Sequence, residues 1–411
     1  MAGDSRKNIM IISTNPFPIG LAGTNRIITY CKGFLHHGYQ PEVWCVRPTE
    51  RYNNFFNTSC EGIYDKIKYS YPGGVTIRAA SFWRRRMNDL YANYATIRRL
   101  YKSMKKEEIL FLIVYGNSAL IELAAIFFAK LFEISIYKEE SENPEIYLRD
   151  SSKLMKPLKK WFFVDKMYSF YNGIFVMTNP LRDFFLHQGI SEKKILIVPQ
   201  TVELERFNTD HNKLSIPLPV NYIAYVGSIN EQKDGVMTLV DSFKEVSEKF
   251  SEIHLVIAGE GSPQEKNALL LLIRQLKLGD RVHYIGRISS IEIPSFLNGA
   301  KLLVSCRPQS IQSEFGFPTK VAEYLATGKP LVTTVTGDLA IYLIDKVNSF
   351  IVKIADTKTI GSKINEVLGD YEFAVQVAQN GKELVKEKFN PDIQIKKILD
   401  YYNDQRTCIR V

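Results

Sequence analysis

The amino-acid sequence predicts an α/β protein of two doubly wound domains in tandem, each with a parallel sheet that helices cover on both faces. Short apolar, β-branched segments alternate with longer helical patterns along most of the 411 residues. Glycine-containing turns follow many of these segments. Around residues 205–220 a polar, proline-containing stretch interrupts the alternation, which then restarts. We therefore expect an N-terminal domain over 1–205, a second domain over 206–385 and, in 386–411, a C-terminal helix that packs back on the N-terminal domain.

The N-terminal domain starts with an apolar strand at residues 8–14, and a loop rich in proline and glycine follows it. A helical pattern then runs over residues 26–37 and stops at Gly38, because glycine commonly ends helices. Further strands are predicted over 41–46, 133–139, 173–178 and 194–200. This order of strand, loop, helix and strand is typical of a parallel sheet.

Residues 109–132 are long and apolar enough to resemble a membrane span. Gly116, Asn117 and Ser118 divide them, however, and Glu122 would lie in lipid. We interpret the segment as a strand, a turn in which Ser118 caps the next helix, and a buried helix.

The second domain repeats the alternation of strands and helices. Its predicted strands, with helical patterns between them, cover residues 221–227, 253–261, 282–286, 301–306 and 329–335. From about Asp356 onward the pattern is mostly helical and ends in a basic helix that contains tyrosines. In such open parallel sheets, ligands bind beyond the carboxyl ends of the strands, so the functional residues are expected there.

The net charge of +9 favours anionic partners, and much of the excess falls in the N-terminal half. Basic residues there stand beside aromatic ones in clusters: Arg84, Arg85 and Arg86 after Phe82 and Trp83; Arg98, Arg99, Lys102, Lys105 and Lys106; and Lys153, Lys156, Lys159 and Lys160 before Trp161, Phe162 and Phe163. Such clusters suit an anionic membrane surface. They equally suit a solvated helix face beside core aromatics, and both interpretations stay open. No reader motif for nucleic acid accompanies the charge, so we expect no nucleic-acid partner.

Five cysteines lie far apart without the spacing of metal ligands, and histidine is too sparse to complete such a site. The first residues lack the long apolar stretch of a secretory signal peptide. We therefore expect a cytoplasmic protein without a bound metal, and the membrane interpretation of its basic clusters would place it at the inner face of the cell membrane.

The most informative segment covers residues 313–330, after the predicted strand at 301–306. Gly316 allows unusual backbone angles, Pro318 can open a helix, and Gly328 can end it, which predicts a helix over Thr319–Thr327. The free amides at the start of a helix can hold a diphosphate. The alternative is an ordinary capped helix with an exposed ion pair.

Three charged side chains in this segment are candidate ligands. Lys320 and Glu323 lie three residues apart and so share one face of the helix, where Glu323 can accept hydrogen bonds from two ribose hydroxyls. Glu314 precedes the helix, within reach of a sugar.

This segment resembles the donor-binding signature of family 4 glycosyltransferases, specifically a branch with a GFPTK-type loop. The resemblance implies the GT-B fold, in which two Rossmann-like domains face each other across a cleft. Glu323 matches the second glutamate of the signature, which binds ribose. Glu314 lies one residue before the position of the first glutamate, which Phe315 occupies, so the role of Glu314 stays open.

Further matches extend through the second domain. Gly227, Ser228 and Lys233 resemble the loop whose arginine and lysine grip the donor diphosphate, but Ser228 replaces the arginine. Lys320 or Arg287 is a hypothetical electrostatic substitute. The donor-binding residues implied by the resemblance are Gly227, Ser228, Lys233, Gly259, Gly261, Arg287, Gly316, Phe317, Pro318, Thr319, Lys320 and Glu323. Lys233 and Glu314 are the catalytic candidates.

The N-terminal domain matches the family more loosely. Gly20, Gly23, Thr24 and Arg26 resemble a glycine loop that faces the donor phosphates and the acceptor. Glu140 belongs to an acidic stretch, 138–144, that resembles an acceptor-orienting loop. The alternatives are a plain strand-to-helix turn for the first and a helix cap for the second.

The resemblance implies a retaining transferase that moves a sugar from a UDP- or GDP-sugar to an acceptor hydroxyl and needs no cofactor. We expect the acceptor to be a saccharide or polyprenyl-linked saccharide of a bacterial surface polysaccharide. A GT-B-fold nucleotide-sugar 2-epimerase and a catalytically inactive nucleotide-sugar-binding homologue are the alternatives. The first needs acid and base residues that the sparse histidines do not supply, whereas Ser228 favours the second.

Overall fold

The structure is a computed structural model that describes residues 7–53, 55–106, 108–148, 160–208, 214–353 and 355–409. It divides into two compact units: unit 1 comprises Met1–Thr201 and Pro391–Val411, and unit 2 comprises Val202–Asn390. These divisions differ by a few residues from those expected at 205 and 385. The difference arises because Val202 and Phe389 belong together in unit 2, where the amide of Val202 donates to the carbonyl of Phe389 at 2.9 Å.

Unit 1 is built on a sheet with the strand order β3-β4-β2-β1-β5-β6-β7-β8. Its described strands are β1 Asn8–Ser13, β2 Gln40–Cys45, β3 Glu61–Tyr64, β4 Ile67–Ser70, β5 Ile109–Tyr115, β6 Ser135–Glu140, β7 Gly173–Val176 and β8 Ile195–Ile197. The pairings are parallel except that of β3 with β4, which is antiparallel. The sequence patterns did not predict β3 and β4.

Helices cover both faces of this sheet. The described α-helices of unit 1 are α1 Ala22–His36, α2 Phe82–Lys105, α3 Ala119–Leu131, α4 Asn179–His187 and, after the chain has passed through unit 2, α14 Pro391–Ile409. Alternate residues of β1 enter two different cores, with Ile9 and Ile11 in one and Met10 and Ile12 in the other. A strand that is buried on both faces requires such a continuous apolar run.

The apolar segment at 109–132 forms β5, a turn and α3, as the sequence predicted, but the helix is not buried on all sides, because Leu120, Leu123, Phe127 and Leu131 are exposed. Ser118 occupies the capping position of α3, but its side chain makes no capping hydrogen bond; instead its amide donates to Glu122 at 2.9 Å. Glu122 is buried and pairs with Lys138 at 2.8 Å. Among the described residues, no helix has both the length and the apolarity that crossing a bilayer requires.

Unit 2 is built on a parallel sheet with the strand order β11-β10-β9-β12-β13-β14. Its described strands are β9 Tyr222–Ser228, β10 His254–Glu260, β11 Val282–Gly286, β12 Leu302–Ser305, β13 Leu331–Thr334 and β14 Phe350–Val352. Its helices are α5 Glu231–Asp234, α6 Val236–Lys249, α7 Pro263–Gln275, α8 Ile293–Asn298, α9 Ile311–Phe315, α10 Thr319–Thr327, α11 Leu339–Tyr342, α12 Thr357–Gly369 and α13 Tyr371–Lys388.

The strand order of unit 2 reverses between β9 and β12. The chain builds outward from β9 through β10 to β11 and then returns to add β12, β13 and β14 on the other side of β9. Connections leave the sheet in opposite directions at such a point, which opens a crevice at the carboxyl ends of the two strands. The crevice at the carboxyl ends of β9 and β12 is therefore the expected ligand site of unit 2.

Candidate functional site

The segment between β12 and β13 places a helix at the carboxyl edge of the unit 2 sheet. This helix, α10, runs over Thr319–Thr327, and Gly328 ends it with a φ of 71°, which confirms the predicted bounds. Pro318 occupies the capping position, and the described residues supply no side-chain capping bond there. The first-turn amides and the positive end of the helix dipole make this end a favourable place for an anion.

Phe317, just before α10, anchors the segment. It is 5% exposed, and its ring packs against Tyr342 at 6.0 Å and against Phe389 at 5.4 Å. Its side chain therefore belongs to the core, so that only its backbone can serve the predicted donor site.

Lys320, on the first turn of α10, points back beneath the end of β9. Its Nζ donates to Asp234 Oδ1 at 2.7 Å and to the Tyr225 hydroxyl at 3.0 Å. Burial lowers the pKa of Lys320, and the nearby charges of Arg307 and Lys233 lower it further, while Asp234 opposes them. A Cβ on Gly227 would collide with this ammonium group, and the φ of 155° at Gly227 also favours glycine.

The loop after β9 presents Lys233 to solvent. Lys233 is exposed on α5, and its amide donates to Asn230 Oδ1 at 2.8 Å. Ser228 stabilises the same loop, since its Oγ accepts from the amide of Asn230 at 3.2 Å and its carbonyl accepts from the Tyr225 hydroxyl at 2.6 Å. At this position the side chain shapes the turn and carries no charge.

Glu323 lies one helical turn into α10. Its side chain is 17% exposed, and Oε1 is 3.9 Å from Nη1 of Arg206. Arg206 also donates to the Ser290 carbonyl at 3.0 Å. The carboxylate therefore keeps an accessible edge beside the helix start, as a ribose ligand requires.

Glu314 lies on α9, ahead of the α10 segment, and is exposed. The amide of Gly316 donates to the Gln312 carbonyl at 3.2 Å, which closes the turn between α9 and α10. The catalytic role of the exposed Glu314 and the donor-binding roles of Gly316 and Thr319 therefore stay predictions.

The glycine turn after β10 packs directly against the end of β9. A Cβ on Gly259 would collide with the carbonyl of Gly227, and Tyr284 donates its hydroxyl to the Gly259 carbonyl at 3.0 Å. A Cβ on Gly261 would meet Ile229 and Glu265. These glycines let two strand ends approach each other closely at the crevice.

Arg287 lies beside a carboxylate at the end of β10, and that carboxylate opposes its charge. It follows β11, two strands away from β9, and its Nη1 lies 3.8 Å from Glu260 Oε2. Because Glu260 pairs with Ser228 in the sheet and opposes the charge of Arg287, this carboxylate weakens the hypothesis that Arg287 replaces the missing cation at Ser228.

In unit 1, the loop between β1 and α1 closes on itself. Thr24 is buried and donates its hydroxyl to the Pro16 carbonyl at 2.6 Å. A Cβ on Gly20 would collide with Thr24, and a Cβ on Gly23 would lie 2.8 Å from Asn15 Oδ1. The two glycines therefore allow close packing of the turn, and their predicted role toward an acceptor or phosphate stays a prediction.

Arg26 does not occupy the place that the sequence suggested for it. Its guanidinium is 1% exposed, and it donates to Glu139 Oε1 at 2.6 Å, to the Pro199 carbonyl at 2.8 Å and to the Val198 carbonyl at 2.7 Å. Those bonds tie α1 to β6 and to the segment after β8. We therefore correct the expectation that Arg26 faces an acceptor, because this side chain is enclosed and holds unit 1 together.

Glu140 likewise lies outside any loop, because the acidic stretch begins inside strand β6. Glu140 is 2% exposed; its Oε1 accepts from the Tyr168 hydroxyl at 2.7 Å and lies 3.6 Å from Lys138 Nζ. Burial raises its pKa to about 7, Lys138 and Tyr168 oppose this, and Glu122 and Glu139 add to it. The structure corrects both earlier interpretations, since the carboxylate belongs to a buried network and neither caps a helix nor reaches solvent.

Two site residues were missed by the sequence patterns. Arg307 follows the carboxyl end of β12 by two residues, and Asp234 forms the ion pair with Lys320. Asp234 stands next to the predicted Lys233, whereas Arg307 has no motif around it. The position of Arg307 directly after a central strand was the available signal.

The described ranges contain no group of three or more His, Cys, Asp or Glu side chains that could hold a metal ion. Of the basic cluster at 153–163, Lys153, Lys156 and Lys159 lie outside the described residues.

Comparison with known proteins identifies the unit that carries this site. Residues 206–384 match the family model of glycosyl transferases group 1. The chain is 29% identical over 212 residues to the capsular polysaccharide biosynthesis glycosyltransferase CapM of Staphylococcus aureus. This alignment covers 49% of this chain and 52% of CapM. The chain spans about half the length of the first curated relatives it matches. The predicted resemblance to family 4 glycosyltransferases is confirmed.

Solved structures show the same fold. Sucrose-phosphate synthase from Thermosynechococcus elongatus superposes with a TM-score of 0.74 at 16% identity, over 98% of this chain and 100% of that one. Anabaena Alr3699/HepE in complex with UDP and glucose gives a TM-score of 0.63 at 12% identity, over 97% of this chain and 100% of that one. The prediction of the GT-B fold is confirmed.

Proposed function

Because this chain is a family 4-like glycosyltransferase with the GT-B fold, we propose that it moves a sugar from a nucleoside-diphosphate sugar to an acceptor hydroxyl with retention of the anomeric configuration. One observation carries the proposal. At the β9–β12 crevice, unit 2 places the half-buried Glu323 on α10, one turn from its start, and the charge of the exposed Lys233 acts on Lys320 in the first turn of that helix. That set of groups matches a diphosphate joined to a ribose.

The donor binds with its diphosphate at the amides of α10 and its ribose at Glu323. Lys233 and the helix dipole stabilise the negative charge that develops as the bond between the sugar C1 and the diphosphate oxygen breaks. The acceptor oxygen bonds to C1 on the face that the diphosphate leaves, and the acceptor proton passes to the departing phosphate oxygen. The nucleoside diphosphate is the other product, so atoms and charges balance without a protein nucleophile.

The same positively charged groups and amides support a reaction that needs no metal. Cations and backbone amides at the crevice provide the positive charge that a divalent ion provides in other transferases. In this proposal EDTA leaves the transfer rate unchanged.

For the donor, we favour a UDP-sugar over a GDP-sugar. HepE, which shares the fold, was solved with UDP and glucose, and this similarity supports the uridine class for the present chain. CapM, named for capsular polysaccharide biosynthesis, supports a saccharide or polyprenyl-linked saccharide of a bacterial surface polymer as the acceptor.

A surface of unit 1 supports a membrane location for that acceptor. Seven large apolar side chains of α2 are exposed: Phe82, Trp83, Met87, Leu90, Tyr91, Tyr94 and Tyr101. Arg84, Arg85 and Arg86 are exposed among them, and the guanidinium of Arg86 lies 5.3 Å from the ring of Phe82. An aromatic and cationic face of this kind matches the headgroup layer of an anionic bilayer.

Helix α3 extends this surface. Tyr101 of α2 packs against Phe128 of α3 at 5.5 Å, and on α3 the exposed apolar side chains are Leu120, Leu123, Phe127 and Leu131. We call the exposed faces of both helices the α2–α3 surface. We propose that it holds a cytoplasmic protein on the inner face of the cell membrane, where lipid-linked acceptors are present.

Donor binding and product analysis test the function. A thermal-shift screen of UDP- and GDP-sugars should reveal a ligand, because one at a hundred times its Kd adds about 2.7 kcal/mol to stability. With that donor and a saccharide acceptor, NMR of the first product formed should show the anomeric configuration of the donor, with or without EDTA. Inversion would contradict the mechanism, and an epimerised nucleotide sugar formed without acceptor would identify an epimerase.

A further inference from the structure

The crevice lacks one cation that the family resemblance leads one to expect, since Ser228 replaces an arginine. The sequence offers Lys320 and Arg287 as substitutes, and the structure argues against both. The ammonium of Lys320 is bonded to Asp234 at 2.7 Å beneath Gly227. Arg287 follows β11, and its Nη1 lies 3.8 Å from the carboxylate of Glu260, which opposes its charge.

Arg307 stands where the missing charge is needed. It follows β12, the strand that pairs with β9 at Leu302–Ile223 and Leu303–Ala224, so it lies on the opposite side of the same crevice from Ser228. Its backbone is fixed, because Thr334 donates its hydroxyl to the Arg307 carbonyl at 2.6 Å.

The guanidinium of Arg307 is directed toward the start of α10. Its Nη2 donates to the Gln312 carbonyl at 3.3 Å and would lie 3.8 Å from a Cβ built on Gly316. Its positive charge also acts on Lys320, where it opposes protonation of the ammonium group. The Arg307 charge therefore lies near the start of α10, where the first-turn amides can bind an anion.

We propose that Arg307 binds the donor diphosphate and supplies the cation that Ser228 does not. The inference rests on the proposed function and adds to it a binding residue from β12 in place of one from β9. Three cations then surround the crevice. Lys320 is paired with Asp234. Lys233, after β9, and Arg307, after β12, bind the phosphates from the two sides of the strand reversal.

The distribution of charge explains how a serine is tolerated at the end of β9. A planar guanidinium can bond two phosphate oxygens at once. An arginine that follows β12 can therefore replace one at the end of β9, provided that its guanidinium reaches the same phosphates. Ser228 meanwhile holds the turn that leads to Lys233 through its bond to Asn230.

The test compares Arg307→Ala with the wild type by calorimetry, using UDP and uridine as probes, or GDP and guanosine if only the guanine pair binds. We expect the diphosphate affinity to fall at least about tenfold, as the loss of one charge-assisted contact predicts. Nucleoside affinity should stay within about twofold. Arg274→Ala, which removes an exposed arginine from α7, is the matched control and should change neither affinity.

A rescue variant separates binding from structure. In the double variant Ser228→Arg with Arg307→Ala, a guanidinium returns to the other side of the crevice, and UDP affinity should recover at least severalfold over Arg307→Ala alone. Equal losses of UDP and uridine affinity in Arg307→Ala would overturn the inference, because they indicate a structural effect. So would unchanged UDP affinity in Arg307→Ala while Glu323→Ala weakens it, and the proposed function would then survive. A wild-type protein that binds neither UDP nor GDP would instead refute the proposed function.

Discussion

The proposed role of Glu323 in ribose binding depends on its position in helix α10. Position 323 lies one turn from the amino end of α10, half-buried and 3.9 Å from Arg206. A carboxylate there can accept two hydroxyl hydrogen bonds from a ribose, and hydrogen bonds to charged groups contribute about 1.5–3 kcal/mol each. Glu323 should therefore contribute a large share of the donor affinity.

The corresponding prediction is that Glu323→Ala weakens binding of the donor nucleotide at least about tenfold while the fold persists. Calorimetry with the nucleotide found in the thermal-shift screen measures the affinity, and circular dichroism checks the fold. Glu383→Ala, at an exposed carboxylate on α13, is the control and should bind like the wild type. Unchanged affinity in Glu323→Ala would remove the ribose site from α10.

Residue roles were predictable from the sequence only where a local pattern fixes them. Gly328 and Pro318 define the ends of α10, and Glu323 follows from those bounds, because the helical repeat places it one turn in. Arg26 was misassigned because its partner Glu139 lies 113 residues away. Long-range burial of this kind leaves no local signal, and a charge next to a glycine loop resembles a ligand until its partner is known.

At the scale of elements, α2 combines two roles along 24 residues. Ala92, Thr96, Leu100 and Met104 recur at every fourth position and are buried, while the aromatic side chains near the start of the helix are exposed. An exposed apolar face that also carries arginines costs free energy in water unless it has a partner. The lipid headgroup layer matches both its charge and its aromatic content.

We predict that the triple variant Arg84→Glu, Arg85→Glu and Arg86→Glu loses at least about tenfold in binding to anionic vesicles, since each basic residue near such a surface contributes about 1 kcal/mol. Vesicle co-sedimentation at low salt measures the binding. The control reverses three exposed lysines of unit 2, Lys244, Lys249 and Lys358, and should bind like the wild type. Equal losses in both variants would indicate a response to net charge alone and not to α2.

Strand β6 carries a second element-scale prediction, on pH. Burial raises the pKa of Glu140 to about 7, above the 4.5 of an exposed glutamate, so the folded state binds a proton that the unfolded state has released. The stabilisation from this proton is present below about pH 4.5 and is lost as pH rises through 7. Lys138, Glu122 and Glu139 act on the pKa of Glu140 and so determine how much of this stabilisation is lost.

Glu140→Gln removes this ionisation and keeps the shape of the side chain. The free energy of unfolding of the variant relative to the wild type should therefore increase between pH 5 and pH 8, by about 1–3 kcal/mol. Urea denaturation at the two pH values measures it, with the exposed Glu61→Gln on β3 as the control. A difference that is the same at both pH values would show that Glu140 ionises normally.

Elements were predicted well where burial on both faces produces an apolar run, and poorly elsewhere. Strand β5 followed from such a run, and the dividing glycine marked where α3 follows, although α3 exposes part of its apolar face. The β3–β4 hairpin was missed because β3 lies exposed at the sheet edge, where its residues carry no continuous apolar pattern. Helix α1 begins at Ala22, four residues before the predicted start, because small and polar residues at its first turn do not continue the apolar pattern.

At the scale of the whole molecule, unit 1 is discontinuous: the chain leaves it at Thr201, builds unit 2 and returns at Pro391 with α14. Ile395, Ile398, Leu399 and Tyr402 of α14 join a core with residues of β1, α1 and β5. A Cβ on Gly33 of α1 would collide with Ile395, so glycine allows the two helices to pack closely. The last helix of the chain thus completes the first unit of the fold.

It follows that Ile395→Ala should destabilise unit 1 and leave unit 2 intact. Removing a buried isoleucine typically costs about 2–5 kcal/mol, because it leaves a cavity against α1. Hydrogen exchange with mass spectrometry should show faster exchange in β1, α1 and α14 and unchanged exchange in β9 and α10. Ile393→Ala, two residues away on the same helix and 39% exposed, is the matched control and should cost less than about 1 kcal/mol. If exchange instead rose equally in both units, the two would unfold as one cooperative body, and α14 would stabilise the entire molecule rather than unit 1.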